Sequence, residues 1–352
     1  MTGRTEPRRL LIGDALTELR TLADASIDMV LTSPPYFRLR DYGQGGQIGL
    51  EPHVDDWVQR LLPVMRELRR VLRPTGSLWL NLGDTYATHL REGAERKSLL
   101  LGPERLALAM AADGWILRNK IVWAKTNPRP TSVPDRLACT WEPVYLFAAG
   151  PRAFFDIDAI RQPHRTRPPQ VRQTGKHGCS RPGAARGKYL GPNSDRLGGL
   201  TALKAQGRVG HPLGKNPGDV WQLATGGLRI GSHPAVFPPA LAERAILAGC
   251  PERRCSNCRT AYRRLVRRIG ATAVRGALRR QCSCTGKGFE PGVVLDPFLG
   301  AGTTALAAER LGRDWVGIEL NPDYAALTIE RLRQERATKA VQPDPNRNHG
   351  PP

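Results

Sequence analysis

Residues 32–36 read Thr32-Ser33-Pro34-Pro35-Tyr36 and follow the apolar run Ile27-Asp28-Met29-Val30-Leu31. Two adjacent prolines have no backbone N–H to give, so the segment ends a strand and leaves a stiff turn with free carbonyls. Such a turn suits a flat base that carries an amino group. Ser33 Oγ and the Pro34 carbonyl would accept the amino hydrogens, and the Tyr36 ring would stack on the face of the base. Alone, the Ser-Pro-Pro-Tyr string also fits a plain loop or a polyproline ligand. A second motif lies far along the chain, from Val293 through Asp296-Pro297-Phe298-Leu299-Gly300-Ala301-Gly302-Thr303-Thr304. A strand, then glycines, then a helix start bring backbone N–H groups up to the negative oxygens of a nucleotide-like ligand. Glu319 follows Gly302 by 17 residues, a spacing that suits a carboxylate accepting bonds from both ribose hydroxyls. The loop is not G-x-G-x-x-G, so no dinucleotide is implied. No G-x-x-x-x-G-K-[ST] occurs, which disfavours an ATP-hydrolysing P-loop.

A third cluster is Cys255-Ser-Asn-Cys258 followed, after 23 residues, by Cys282-Ser-Cys284. Four thiolates in two close pairs suit tetrahedral zinc, although the second pair is tighter than the usual C-x2-C. Four reduced cysteines in a loop is the alternative. Between the pairs stand Arg259, Arg263, Arg264, Arg267, Arg268, Arg275, Arg279 and Arg280 and no acid. Such an insert lacks the apolar residues for a core, so the metal would supply its stability. The expected role is structural, because catalytic zinc keeps an open position and usually a histidine. Cys250 is an alternative ligand. Seven cysteines, an odd number, argue against a disulfide framework.

The elements that must position these groups alternate between strand and helix patterns. Arg9–Asp14, Ile27–Thr32, Ser77–Leu82, Trp115–Trp123 and Glu142–Phe147 read as strands. Residues 15–22, 55–73 and 103–113 read as helices, the second stopped by Pro74-Thr75-Gly76. After residue 216 come a helix at 239–247, strands at 293–295 and 315–320, and helices at 304–311 and 323–333. This alternation predicts an α/β fold with a mostly parallel sheet and helices on both faces.

Of the 352 residues, 53 are Lys or Arg and 32 are acidic, a net charge of +21. That excess points to a polyanionic partner, most simply nucleic acid. From Arg161 to Lys215 there are twelve basic residues and one acid, Asp195. This stretch has too little apolar surface for its own core and reads as a linker or a segment that orders on DNA. The tail 337–352 is polar and Pro-rich and reads as disordered. No apolar run approaches membrane-spanning length, and the N-terminus lacks the apolar core of a signal peptide, so a cytoplasmic protein is expected.

The two motifs, in this order, resemble the β-type amino-group DNA methyltransferases that use S-adenosylmethionine. There a [DSN]-P-P-[YFW] motif comes first, a target-recognition region follows, and F-x-G-x-G comes last. The resemblance covers roughly residues 9–150 and 216–333. It includes His233-Pro234-Ala235-Val236-Phe237-Pro238, similar to the family segment lining the methionine end, and the target-pocket segments Trp123-Ala124-Lys125-Thr126-Asn127 and Thr140-Trp141-Glu142-Pro143. It implies a Rossmann-like methyltransferase fold with permuted motif order. Residues 9–150 would be the catalytic half, 151–215 a target-recognition insert and 216–333 the cofactor half, with a zinc-binding insert at 250–288. It also implies Ser33, Pro34, Pro35 and Tyr36 as catalytic residues. Asp14 (at the adenine), Phe237, Asp296, Phe298, Gly300, Gly302, Thr303 and Glu319 would hold the cofactor, and Cys255, Cys258, Cys282 and Cys284 would hold structural zinc. Duplex DNA is the expected partner, and a cognate restriction endonuclease and a homodimer are possible ones.

The exocyclic nitrogen of cytosine or adenine is a poor nucleophile because its lone pair is delocalised into the ring. A site must hold its hydrogens so that the lone pair turns towards the methyl donor. C5-cytosine chemistry is excluded, since it needs a thiolate in a Pro-Cys pair and only the reverse, Cys250-Pro251, is present. In the family a leading Ser goes with N4-cytosine and a leading Asp with N6-adenine, with exceptions. The expectation is N4-cytosine, with N6-adenine as the alternative. An RNA or protein-glutamine methyltransferase is further off. A non-catalytic zinc-dependent DNA-binding protein is the reading from a different class.

Overall fold

The computed structural model describes residues 8–164, 211–226, 237–269, 272–286 and 288–341. Its strands, in chain order, are β1 (Arg9–Ile12), β2 (Ile27–Thr32), β3 (Leu72–Asn81), β4 (Ile116–Lys125), β5 (Trp141–Ala148), β6 (Val220–Leu223), β7 (Arg254–Cys255), β8 (Arg263–Ile269), β9 (Thr272–Arg279), β10 (Phe289–Glu290), β11 (Val293–Asp296) and β12 (Asp314–Glu319). Eight of them form one sheet in the order β1-β12-β11-β2-β3-β5-β4-β6. β5 runs antiparallel to both its neighbours and every other pairing is parallel. This is the mostly parallel α/β sheet that the alternation predicts.

The two halves of the chain interleave. β12 and β11, from the end of the chain, lie between β1 and β2, from its start. All six residues of β2 are buried, as a strand covered on both faces requires. Val30, Leu78 and Leu80 face one core with Trp57, Leu61, Met65 and Leu68 of helix Val54–Val71. Met29, Leu31 and Trp79 face the other, with Leu241 and Ile246 of helix Pro239–Gly249 and Ala305 and Leu306 of helix Thr303–Arg310. Each such Val, Leu, Ile or Met side chain, fully buried, contributes about 1.5–3 kcal/mol.

Two local expectations are corrected. β3 begins at Leu72, directly after the helix, so Pro74-Thr75-Gly76 lies within the strand. Ile27 pairs with Leu72 while Met29 pairs with Ser77, and the extra residues bulge outward. Pro74, with no N–H to lend the ladder, sits in that bulge and leaves the helix–strand junction intact. The last helix spans Pro322–Val341, so residues 337–341 of the expected disordered tail are helical. The run Ala337-Thr338-Lys339-Ala340 contains no helix breaker. Residues 342–352 lie outside the described residues, as does most of the basic insert, 165–210. The ends of that insert meet, with Gln162 and Lys215 exchanging backbone hydrogen bonds at 3.1 and 2.8 Å. The sequence patterns also missed β6 and the ribbon β8–β9. Among the described residues no helix is long and apolar enough to cross a membrane.

Candidate active site

Pairing of Met29 with Val294 and of Val30 with Leu295 sets the C-terminal ends of β2 and β11 side by side. Ser33 and the loop after Asp296 therefore open into one cleft. Seven of the eight expected cofactor residues line it: Asp14, Phe237, Asp296, Phe298, Gly300, Thr303 and Glu319. Ser33 and Pro35 form its far wall. Gly302 does not line the cleft. It stands at the start of helix Thr303–Arg310 with φ +79°, and a Cβ there would lie 2.6 Å from Thr328 Cγ2.

Each polar wall group has a definite state. The Glu319 carboxylate accepts the Gly300 N–H at 2.7 Å and the Asn321 N–H at 2.9 Å, and burial raises its pKa. Asp14 caps helix Ala15–Arg20, accepting the N–H and hydroxyl of Thr17 at 3.0 Å each. Asp296 ties the two motifs together. It accepts the Thr32 hydroxyl at 2.7 Å, the Thr304 hydroxyl at 2.6 Å and the Phe298 N–H at 3.1 Å. The Thr303 hydroxyl is buried and has no hydrogen-bond partner among the described residues. An unsatisfied donor at a helix start, beside glycines that let a ligand approach, fits the carboxylate end of an amino-acid-bearing nucleoside. The donor set thus fits S-adenosylmethionine. Tyr42, Gln47 and Tyr324 also line the cleft. Sequence reasoning missed Tyr42 and Gln47 because the stretch 37–53 has no periodicity and owes its place to packing, and Tyr324 because it stands in the first turn of helix Pro322–Val341 with no motif around it.

Burial pushes the Asp296 carboxyl up to about 6, against the lowering effect of its three hydrogen bonds. Between the ordinary aspartate value and about 6, the folded chain holds more protons here than the unfolded chain. This group's contribution to stability therefore falls as pH rises through that window. Asp296→Asn keeps the shape and removes the titration. The thermal midpoint of the variant, relative to the parent, should rise between about pH 4 and about pH 7. A difference that does not change with pH would contradict the assignment.

The Ser33–Tyr36 turn is held from three sides. The Trp57 indole N–H donates to the Pro35 carbonyl at 3.0 Å, whereas the Pro34 carbonyl has no partner among the described residues. Ser33 Oγ donates to Tyr36 Oη at 3.1 Å, and Tyr36 Oη donates to Glu142 Oε2 at 2.9 Å. Asn81 Nδ2 donates to the same carboxylate at 3.1 Å, and Lys125 Nζ reaches its other oxygen at 2.6 Å. Burial, and then the Glu142 charge, raise the Tyr36 pKa well above the ordinary phenol value, so the hydroxyl stays a donor. Gly83 packs on the ring: a Cβ there would lie 2.5 Å from Tyr36 Cε2. Asn81 and Gly83, at the end of β3, were missed. The strand pattern ending in Asn81-Leu82-Gly83-Asp84 was their only signal.

The four cysteines also meet. The Sγ atoms of Cys255, Cys258, Cys282 and Cys284 all lie within 4.8 Å of one another. Tetrahedral zinc with Zn–S of about 2.3 Å needs sulfurs about 3.8 Å apart, so a small contraction would close the site. Cys250 is outside the cluster, buried, and donates weakly to the Pro251 carbonyl. Cys139 is exposed, and Cys179 lies outside the described residues. This cysteine module sits at the other end of the sheet from the cleft. Arg254 of β7 pairs with buried Asp28, near the start of β2, and Asp28 also accepts the Val293 N–H at 2.8 Å.

The sequence pattern of the DNA methylase family (N6_N4_Mtase) matches residues 27–330. The chain is 32% identical to the type II methyltransferase M.SmaI of Serratia marcescens, covering 93% of this chain and 91% of that protein. It is 33% identical to M.XycI of Xanthomonas campestris pv. cyanopsidis, covering 93% and 88%. Among solved structures it resembles PvuII DNA methyltransferase (cytosine-N4-specific) with a TM-score of 0.56 at 20% identity, covering 93% of this chain and 86% of that one.

Proposed function

Because the chain belongs to the DNA methylase family, as a β-type amino-group methyltransferase, we propose that it methylates the exocyclic N4 of cytosine in duplex DNA with S-adenosylmethionine. The observation that carries this reading is the meeting of Ser33 and the Asp296–Thr304 loop in one cleft, tied by the Thr32–Asp296 hydrogen bond. When bound, S-adenosylmethionine would supply a methyl group on a sulfonium, which the amino nitrogen would take with departure of the neutral thioether and loss of one amino proton to solvent. Thr303 and the start of its helix would hold its carboxylate end, Glu319 its ribose hydroxyls and Asp14 its adenine.

The rest is positioning. The open Pro34 carbonyl and the remaining lone pairs of Ser33 Oγ accept the two amino hydrogens of a base drawn out of the duplex. Tyr36 stacks on that base, and Glu142, Asn81 and Lys125 fix the ring by its hydroxyl. The Ser33 lead residue favours cytosine, following the family's correlation. Mass spectrometry of nucleosides from DNA methylated by the purified protein tests the choice. N4-methylcytosine is expected, and N6-methyladenine as the only product would overturn it. DNA binding without S-adenosylmethionine binding would instead favour a non-catalytic DNA-binding protein.

The four cysteines would hold one structural zinc per chain, closing an insert that has little core of its own. Duplex DNA is the partner implied by the charge of +21. A cognate restriction endonuclease, a homodimer and a cytoplasmic location accord with a type II modification enzyme.

A further inference from the structure

The ribbon β8–β9 is the part of the fold that the methyl-transfer reading leaves without a task. Among the described residues it pairs with no other strand, and a two-stranded ribbon alone is at best marginally stable in water. Arg263, Arg264 and Arg275 anchor it to the body through the Phe155 carbonyl, Glu252 and Asp156. Arg267, Arg268 and Arg279 are exposed and have no ion-pair partner among the described residues. Arg279 lies directly opposite Arg263 in the ladder, and like charges opposite one another destabilise a sheet. The strands carry no acid to offset this.

We propose that this cysteine-anchored ribbon is a second DNA contact, which grips the phosphate backbone of duplex flanking the target. The occupant follows from charge: three exposed arginines without ion-pair partners, on strands that carry no acid, match a polyanion, and a two-stranded ribbon fits a DNA groove. Its place sets its role. The module docks at Asp28, four residues before Thr32, so it lies about 13 Å along the strand direction from the catalytic end of β2. Its anchor at that end of the sheet is separate from the Ser33–Tyr36 turn. The ribbon adds affinity that is independent of sequence and leaves turnover on saturating DNA alone.

The inference rests on the zinc reading for the anchoring of the ribbon, and the test separates the two. The full chain and its Arg267→Glu, Arg268→Glu, Arg279→Glu variant are compared for zinc content, for binding to a short non-specific duplex across a salt series, and for turnover on saturating substrate DNA. Both proteins should carry one zinc. The variant should bind more weakly, with a logarithmic salt slope shallower by about 2 to 3, at unchanged turnover. An unchanged affinity and slope in a zinc-loaded variant would overturn the DNA contact. So would loss of self-association with DNA affinity retained, which would make the ribbon a protein interface. A parent protein without zinc overturns the metal reading, while the salt slopes still decide the ribbon.

Discussion

Tyr36→Ala should slow single-turnover methylation on the order of a hundredfold or more while cofactor binding stays intact. The variant loses the stacking surface for the extruded base, worth about 1–3 kcal/mol. It also leaves the Glu142 carboxylate with only Asn81 and Lys125 and frees Ser33 Oγ from its hydroxyl partner. Tyr36→Phe separates the two losses. It keeps the ring and removes only the hydroxyl, at a cost of about 1 kcal/mol, roughly fivefold in rate. Gly83→Ala approaches the same ring from behind. Its Cβ would fall 2.5 Å from Cε2, and the ring is pinned at its far end, so the ring must tilt and the rate should fall without any chemical group being removed. Rapid-quench kinetics with labelled cofactor and isothermal titration measure both quantities. Full activity in Tyr36→Ala would refute the stacking role. An equal loss in Tyr36→Phe would move the effect from the ring to its hydroxyl.

Gly302→Val should weaken S-adenosylmethionine binding by about two orders of magnitude in a chain that still folds, through a residue that does not touch the cleft. Its φ of +79° already disfavours a side chain, by about 1–2 kcal/mol. The new Cβ would also drive into Thr328, whose hydroxyl donates to the Gly300 carbonyl at 2.9 Å. That displaces the loop presenting the Gly300 N–H to Glu319 and shifts the helix start carrying Thr303. Overpacking of this kind adds about 1–3 kcal/mol. Titration calorimetry reads the affinity and circular dichroism the fold. Parent-like affinity in a folded variant would remove Gly302 from the cofactor site. Adding Thr328→Ala should restore part of the lost affinity, since the contact is relieved and the backbone strain remains.

What was legible in the sequence were features decided by local chemistry. Pro34 and Pro35 cannot extend a ladder, so a strand had to end there. Gly300 and Gly302 admit backbone conformations that other residues resist, so a tight turn before a helix had to follow β11. Ile27–Thr32 and Val293–Asp296 are mostly apolar and read as buried strands. What stayed hidden depends on contacts between residues far apart in the chain. A lone proline reads the same in a turn and in a bulge, so the sequence around Pro74 does not distinguish a stop from the bulge that forms. Helix Pro322–Val341 outran its expected end because that end was inferred from polarity, whereas helix-forming residues continue to Val341.

By itself the sequence determined which groups could act: a Pro-Pro turn suited to holding an amine, a glycine loop suited to a nucleotide, and two close pairs of thiols spaced for a metal. Only the tertiary structure decided how they combine. Parallel pairing of β2 with β11, across some 265 positions of chain, puts Ser33 beside the cofactor loop. It turns Asp296 from a presumed ligand contact into the bridge between the two motifs. The same pairing sends the cysteine module to the opposite end of the sheet, because the chain must return there, through Asp28 and Arg254, before β11 can begin. Spacing along the chain carries no information about such distances, since a parallel sheet brings together segments whose separation in sequence is set by the crossovers between them.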